Sequence, residues 1–97
     1  MPTIQQYELQ RDKLVELTQF LNSFKEDINQ KMREYQQRVQ QMYETGLPEN
    51  VVKNFEMIHI PETNHLVMNI NQVIDDKSIP LAMQNIQLME NGIALNS

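Results

Sequence analysis

Apolar side chains recur in two rows through the first half of the chain, one at intervals of seven residues and the other three or four positions after it. Together the rows form a predicted seam of Tyr7, Leu14, Leu17, Leu21, Phe24, Ile28, Met32, Tyr35, Val39 and Met42. Alternating steps of three and four residues place such side chains on one face of an α-helix. Gln, Glu, Lys and Arg occupy most of the remaining positions. The pattern therefore predicts one long amphipathic helix whose seam is a core or an interface.

Sequence signals bound this helix at both ends, and residues 3–45 contain neither Gly nor Pro. The stretch from Thr3 to Gln6 fits a capping box, in which the hydroxyl and the amide side chain bond reciprocally to the two backbone amides. Gly46 suits the left-handed position that follows a helix, and Pro48 cannot continue it. We therefore predict a helix over 3–45 and a turn over 46–48.

The second half is punctuated by prolines and admits two interpretations around its first interruption. Pro48 is typical of a helix start, and apolar residues follow it at helical spacing. Alternatively, residues 55–60 and 65–70 flank a turn-like segment that begins at Pro61. That arrangement is typical of a β-hairpin. A helix and a short β-hairpin around 55–70 both remain open from the sequence.

Helical spacing returns in the last part of the chain. Apolar residues recur there in steps of three and four, at Ile79, Ala82, Ile86, Met89 and Ile93. Ser78 precedes Ile79 and Pro80, as an N-cap residue would, and Gly92 is suited to a helix end. We predict a return arm over 49–92, broken at the prolines, and a frayed tail over 93–97.

The two halves have matching lengths, which suggests how they fold together. Forty-odd helical residues span about 63–65 Å, whereas a compact domain of this size is only about 30–35 Å across. The predicted fold is all-α, a single domain over 1–97 in which the long N-terminal helix packs antiparallel on the broken C-terminal arm. A two-helix hairpin leaves faces uncovered, so we expect a homodimer that forms a four-helix bundle, or a protein partner.

Composition and charge narrow the possible partners. The chain has 97 residues, a net charge of -5 and eight Lys and Arg that form no basic stripe, so we expect no nucleic acid. With no Cys, a disulfide scaffold and thiolate chemistry are excluded. The N-terminal residues lack the charge and apolar run of a signal peptide, and no apolar run could cross a membrane. We expect a cytoplasmic protein, with leaderless secretion as the alternative.

Two Glu-x-x-His repeats are the candidates for a metal site. Glu56 and His59 form the first and Glu62 and His65 the second. Glu and His three residues apart share a helix face, a spacing used in di-iron bundles. Such a site needs two further glutamates at matched depth, and Pro61 separates the two repeats. The favoured interpretation is therefore that both His are solvent-facing residues near a loop, with a metal site as the weaker hypothesis.

No motif predicts catalysis. The serines lack the context of a nucleophile elbow, and Gly46 and Gly92 cannot build a phosphate-binding loop, so we expect neither an enzyme nor a cofactor. The seven methionines are numerous for a chain of this length. Methionine fills gaps in cores and also lines surfaces that adapt to partners, and the sequence leaves both uses open.

The turn from Tyr43 to Gly46 resembles in its position the Trp-x-Gly turn of small secreted helical hairpins. It has no Trp and one residue too many, so no property is transferred from that family. The predicted function is non-enzymatic protein–protein interaction by a self-associating helical adaptor, assembly subunit or chaperone. The alternatives are a small secreted or structural helical-hairpin component and a metal-binding helical protein.

Overall fold

The computed structural model describes residues 2–97, and the regular structure within that range is entirely helical. A long helix is followed by a return arm of three α-helices joined by two π-helical segments: α1 Ile4–Glu44, α2 Glu49–Asn54, π segment Phe55–His59, α3 Ile60–Val73, π segment Ile74–Ser78 and α4 Ile79–Leu95. The long helix packs against the arm, so the predicted all-α helical hairpin is confirmed. The β-hairpin considered for 55–70 is wrong, because those residues are helical.

Both ends of α1 are closed by the predicted local hydrogen bonds. The backbone amide of Thr3 donates to Gln6 Oε1 at 2.8 Å, and the amide of Gln6 donates to Thr3 Oγ1 at 3.2 Å, which is a capping box. At the other end, the amide of Leu47 donates to the carbonyl of Met42 at 2.8 Å, while Gly46 has a φ of 124°. These features form a Schellman-type ending, in which a positive φ favours glycine.

Each proline of the return arm follows a π-helical segment, and the helical path continues through it. The amide of Ile60 donates to the carbonyl of Phe55, and the amide of Ile79 donates to that of Ile74. Both bonds span five residues. A proline ring inside an α-helix clashes with the carbonyl four residues earlier and removes one hydrogen bond. The wider π turn before Pro61 and Pro80 absorbs this mismatch. The predicted breaks are thus local changes in hydrogen bonding.

Two expectations about the arm were wrong. Ser78 is not an N-cap residue, because its φ of -71° and ψ of -50° are helical and its hydroxyl makes no capping bond. Gly92 does not end α4, which continues to Leu95. Instead, Gly92 is buried, and a Cβ built on it would lie 2.7 Å from Cε1 and Cζ of Tyr7. The missing side chain admits the Tyr7 ring.

The chain divides into two compact units. Unit 1 consists of the residues up to Phe24 together with Gln72–Ser97, and unit 2 consists of Lys25–Asn71. In unit 1 the buried residues are Ile74, Ala82 and Gly92, and in unit 2 they are Met32, Val39 and Val52. Each unit therefore has a thin core made by one side of α1 and one side of the arm.

Side-chain amides of α1 and α3 pair with each other in unit 2. Asn71 Nδ2 donates to Asn29 Oδ1 at 2.9 Å, and Gln36 Nε2 lies 3.4 Å from Asn64 Oδ1. The two pairs are seven residues apart on each helix. Asn71 Oδ1 is buried without a hydrogen-bond donor. Amides that find their partner in only one alignment help to fix the register of two helices.

Replacing Asn29 by Leu should destabilise the protein more than replacing Asn29 and Asn71 together. The single change leaves the part-buried Asn71 side chain without its partner, at a cost of about 1–3 kcal/mol. Removing both polar groups avoids that cost. Thermal unfolding followed by circular dichroism checks this, since each kcal/mol lowers the Tm by about 4–8 °C in a domain of this size. A double variant no more stable than the single one would contradict this account of the pair.

Candidate interaction face

The predicted seam divides into buried and exposed members. Met32 and Val39 are buried, and five others are half-buried: Tyr7, Leu14, Leu21, Ile28 and Tyr35. Leu17, Phe24 and Met42 are exposed. The seam is therefore wider than the side of α1 that the hairpin covers.

The row that accompanies Met32 and Val39 on the buried side of α1 is partly polar. It continues toward the N-terminus in steps of seven through half-buried Lys25, Thr18, Arg11 and Ile4. Sequence reasoning extended this row through apolar Leu17 and Phe24 instead, because three of its true members are polar. The Arg and Lys members fit beside a core because their aliphatic stems can pack while their charged ends reach water.

Leu17 and Phe24, the predicted seam residues that lie outside the buried row, belong to an open face of unit 1. We define this open face by Leu17, Phe20 and Phe24 of α1 and by Leu81 and Leu88 of α4, which are between 40% and 62% exposed. Leu17, Phe20 and Phe24 share one stripe of α1 by their spacing of three and four, and Leu81 and Leu88 share one stripe of α4 by their spacing of seven. Phe20 was not part of the predicted seam.

A groove between α1 and α4 lies within this open face. It has a volume of about 320 Å³ and is lined by Leu14, Leu17, Leu21, Ser78, Leu81, Ala82 and Asn85. The amide nitrogen of Asn85 donates to the carbonyl of Leu81 at 2.9 Å, so this polar side chain is satisfied within its own helix. Small Ala82 lies between larger neighbours. The groove thus presents mainly aliphatic surface.

Aromatic side chains project beside this groove. The rings of Phe20 and Phe24 stack with centroids 6.1 Å apart and an interplanar angle of 18°. Both side chains are exposed although large aromatic groups gain most from burial. The open face therefore combines a projecting ring pair with an apolar recess.

The open face is also poor in charge. Residues 17–24 of α1 contain no charged side chain, and neither do residues 78–89, which contain the α4 part of the face. Lys13 and Glu16, one turn before Leu17, pair with each other at 3.1 Å. A charged partner would therefore meet few opposite charges on this face.

The four metal candidates are exposed and do not converge. The ring of His59 stacks on Phe55 with centroids 4.6 Å apart, and Glu56 lies in the same π segment, while Glu62 and His65 belong to α3. Among residues 2–97, no three acidic or histidine side chains lie close enough to hold a metal ion.

Most of the methionines within residues 2–97 are exposed. Met42, Met57, Met68 and Met83 are exposed, whereas Met32 is buried. Of the two uses that the sequence left open, gap-filling in the core therefore accounts for only part of the set. Flexible, polarizable methionine side chains on a surface can adjust to different contacts.

Comparisons of the chain with protein-family models, with curated proteins and with solved structures gave no match. No helix in the described part of the chain is both long enough and apolar enough to cross a membrane.

Proposed function

We propose that this chain is a non-enzymatic protein–protein interaction module that self-associates and serves as a helical adaptor, assembly subunit or chaperone-like subunit. The observation that carries the proposal is the open face of unit 1, where two phenylalanines and three leucines remain exposed beside an apolar groove. Contiguous exposed apolar surface of this kind marks protein interaction sites. The cytoplasmic location stays a prediction from the sequence.

The thin cores of the two units support the same proposal. Among residues 2–97, only five hydrophobic side chains are buried: Met32, Val39, Val52, Ile74 and Ala82. Association would cover apolar surface that the hairpin leaves in water, and the hydrophobic effect would favour it.

The mass of the purified protein in solution tests the proposal directly. We expect light scattering coupled to size exclusion to give at least twice the monomer mass of 11.5 kDa at micromolar concentrations, with a shift toward monomer on dilution. If the protein is fully helical and has the monomer mass over the whole concentration range, it does not self-associate.

A further inference from the structure

We propose that the open face of unit 1 pairs with the same face of a second copy of this chain, the Phe20 and Phe24 rings of each copy entering the groove of the other. This inference rests on the proposed function and deepens it by naming the surface and its occupant. A symmetric dimer requires a self-complementary face, because the same patch meets itself across the two-fold axis.

The shape of the open face meets that requirement. The stacked rings of Phe20 and Phe24 project from α1, and the groove that includes Leu17 and Leu81 lies beside them. An apolar cavity of about 150 Å³ takes up one benzene molecule. The groove, with about 320 Å³, has room for the two rings of a second copy. Projection and recess thus occur on one patch and have comparable sizes.

Charge favours a second copy over a charged partner. Every copy carries a net charge of -5, so two copies repel each other wherever their acidic residues meet. The open face lies on the two uncharged stretches, 17–24 and 78–89, where this repulsion is weakest. A strongly basic peptide would find no carboxylate in either stretch to pair with.

The apolar area that such a dimer would cover approaches the range of a specific interface. The five side chains of the open face are about half exposed, and each leaves on the order of 100 Å² of apolar surface in water. Two copies would therefore cover about 1000 Å² of apolar surface, before the surrounding polar rim is counted. Stable specific interfaces bury about 1200–2000 Å² in total. The face is large enough for a modest dimer.

The test compares two double variants of the full chain by sedimentation equilibrium. Phe20→Asp with Phe24→Asp places charges on the open face, and we expect the dimer dissociation constant to rise at least about 100-fold, because interface aromatics carry much of the binding energy. Leu66→Asp with Met68→Asp is the matched control. Its side chains are at least as exposed as those of the two phenylalanines but belong to unit 2, and we expect an unchanged constant.

Helicity is measured on every variant, and Leu81→Asp provides a second disruption from α4. If the Phe variant loses helicity, the dissociation constant of the Leu81 variant alone shows whether association is weakened or unchanged. If the wild type is dimeric and all open-face variants remain dimeric, the open face is not the interface, although the chain still self-associates. The proposal is also overturned if the control variant dissociates while the open-face variants remain dimeric. A monomeric wild type instead contradicts the proposed function itself.

Discussion

Replacing Ile74 by Asp is expected to unfold most of the protein at room temperature. Ile74 is 4% exposed and belongs to the core of unit 1. Loss of a buried isoleucine costs about 2–5 kcal/mol, and a buried carboxylate without a partner adds several kcal/mol. Domains of this size have total stabilities of about 5–15 kcal/mol, and a core this thin places the chain toward the lower end. Far-UV circular dichroism should show the loss of helix directly.

The neighbouring residue provides the control for this substitution. Val73 is also β-branched and apolar, but it is 49% exposed. Val73→Asp should therefore change the free energy of unfolding by about 1 kcal/mol or less. If both variants unfold alike, the placement of Ile74 in the core is wrong.

Replacing Gly92 by Leu should destabilise the protein by about 3 kcal/mol. Even a Cβ at this position would lie 2.7 Å from the Tyr7 ring, and a leucine side chain adds three further carbon atoms beyond that Cβ. Overpacking of this kind costs about 1–3 kcal/mol and sometimes more. Chemical denaturation measures the change. Ala94→Leu is the control, because Ala94 lies in the same helix and is exposed.

A smaller change at the same site reveals the role of the ring. Gly92→Ala should lower stability in the native background, where its Cβ meets Tyr7. In a Tyr7→Ala background it should raise stability by up to about 1 kcal/mol, because alanine is the better helix former. The reversal of sign isolates the contact between the two positions. Equal effects in both backgrounds would show that the ring moves aside freely.

The sequence predicted best those features that depend on neighbours in the chain. The capping box at Thr3 and the ending at Gly46 each involve residues only a few positions apart, and both were confirmed. The buried row of α1 was harder to predict because Arg11 and Lys25 occupy two of its positions. A search for apolar residues chose Leu17 and Phe24 instead. Burial of a long polar side chain depends on tertiary contacts that no local pattern contains.

The return arm shows why its pattern was ambiguous. Its least exposed stripe runs through buried Val52, Ile74 and Ala82 and half-buried Ile60, Val67 and Met89. The steps along it are eight, seven, seven, eight and seven residues, and each step of eight crosses one π segment. A constant helical period cannot fit such a stripe. Breaks were predicted at Pro61 and Pro80 because proline usually interrupts a helix, whereas the π segment before each proline accommodates one extra residue and the helix continues. Ser78 was mistaken for an N-cap residue because Pro80 follows it at the spacing of a helix start.

The division into units also bears on the order in which the chain can fold as it is synthesised. Unit 2 is one continuous segment, so every residue it needs has been made once Asn71 is in place. Unit 1 joins the first residues to Gln72–Ser97, and Leu14 and Leu21 must wait for Ala82 to be made before their groove can form. Contacts between distant segments form late and slowly. The apolar surface of unit 1 therefore stays uncovered longest on the ribosome, where a nascent copy is most exposed to aggregation.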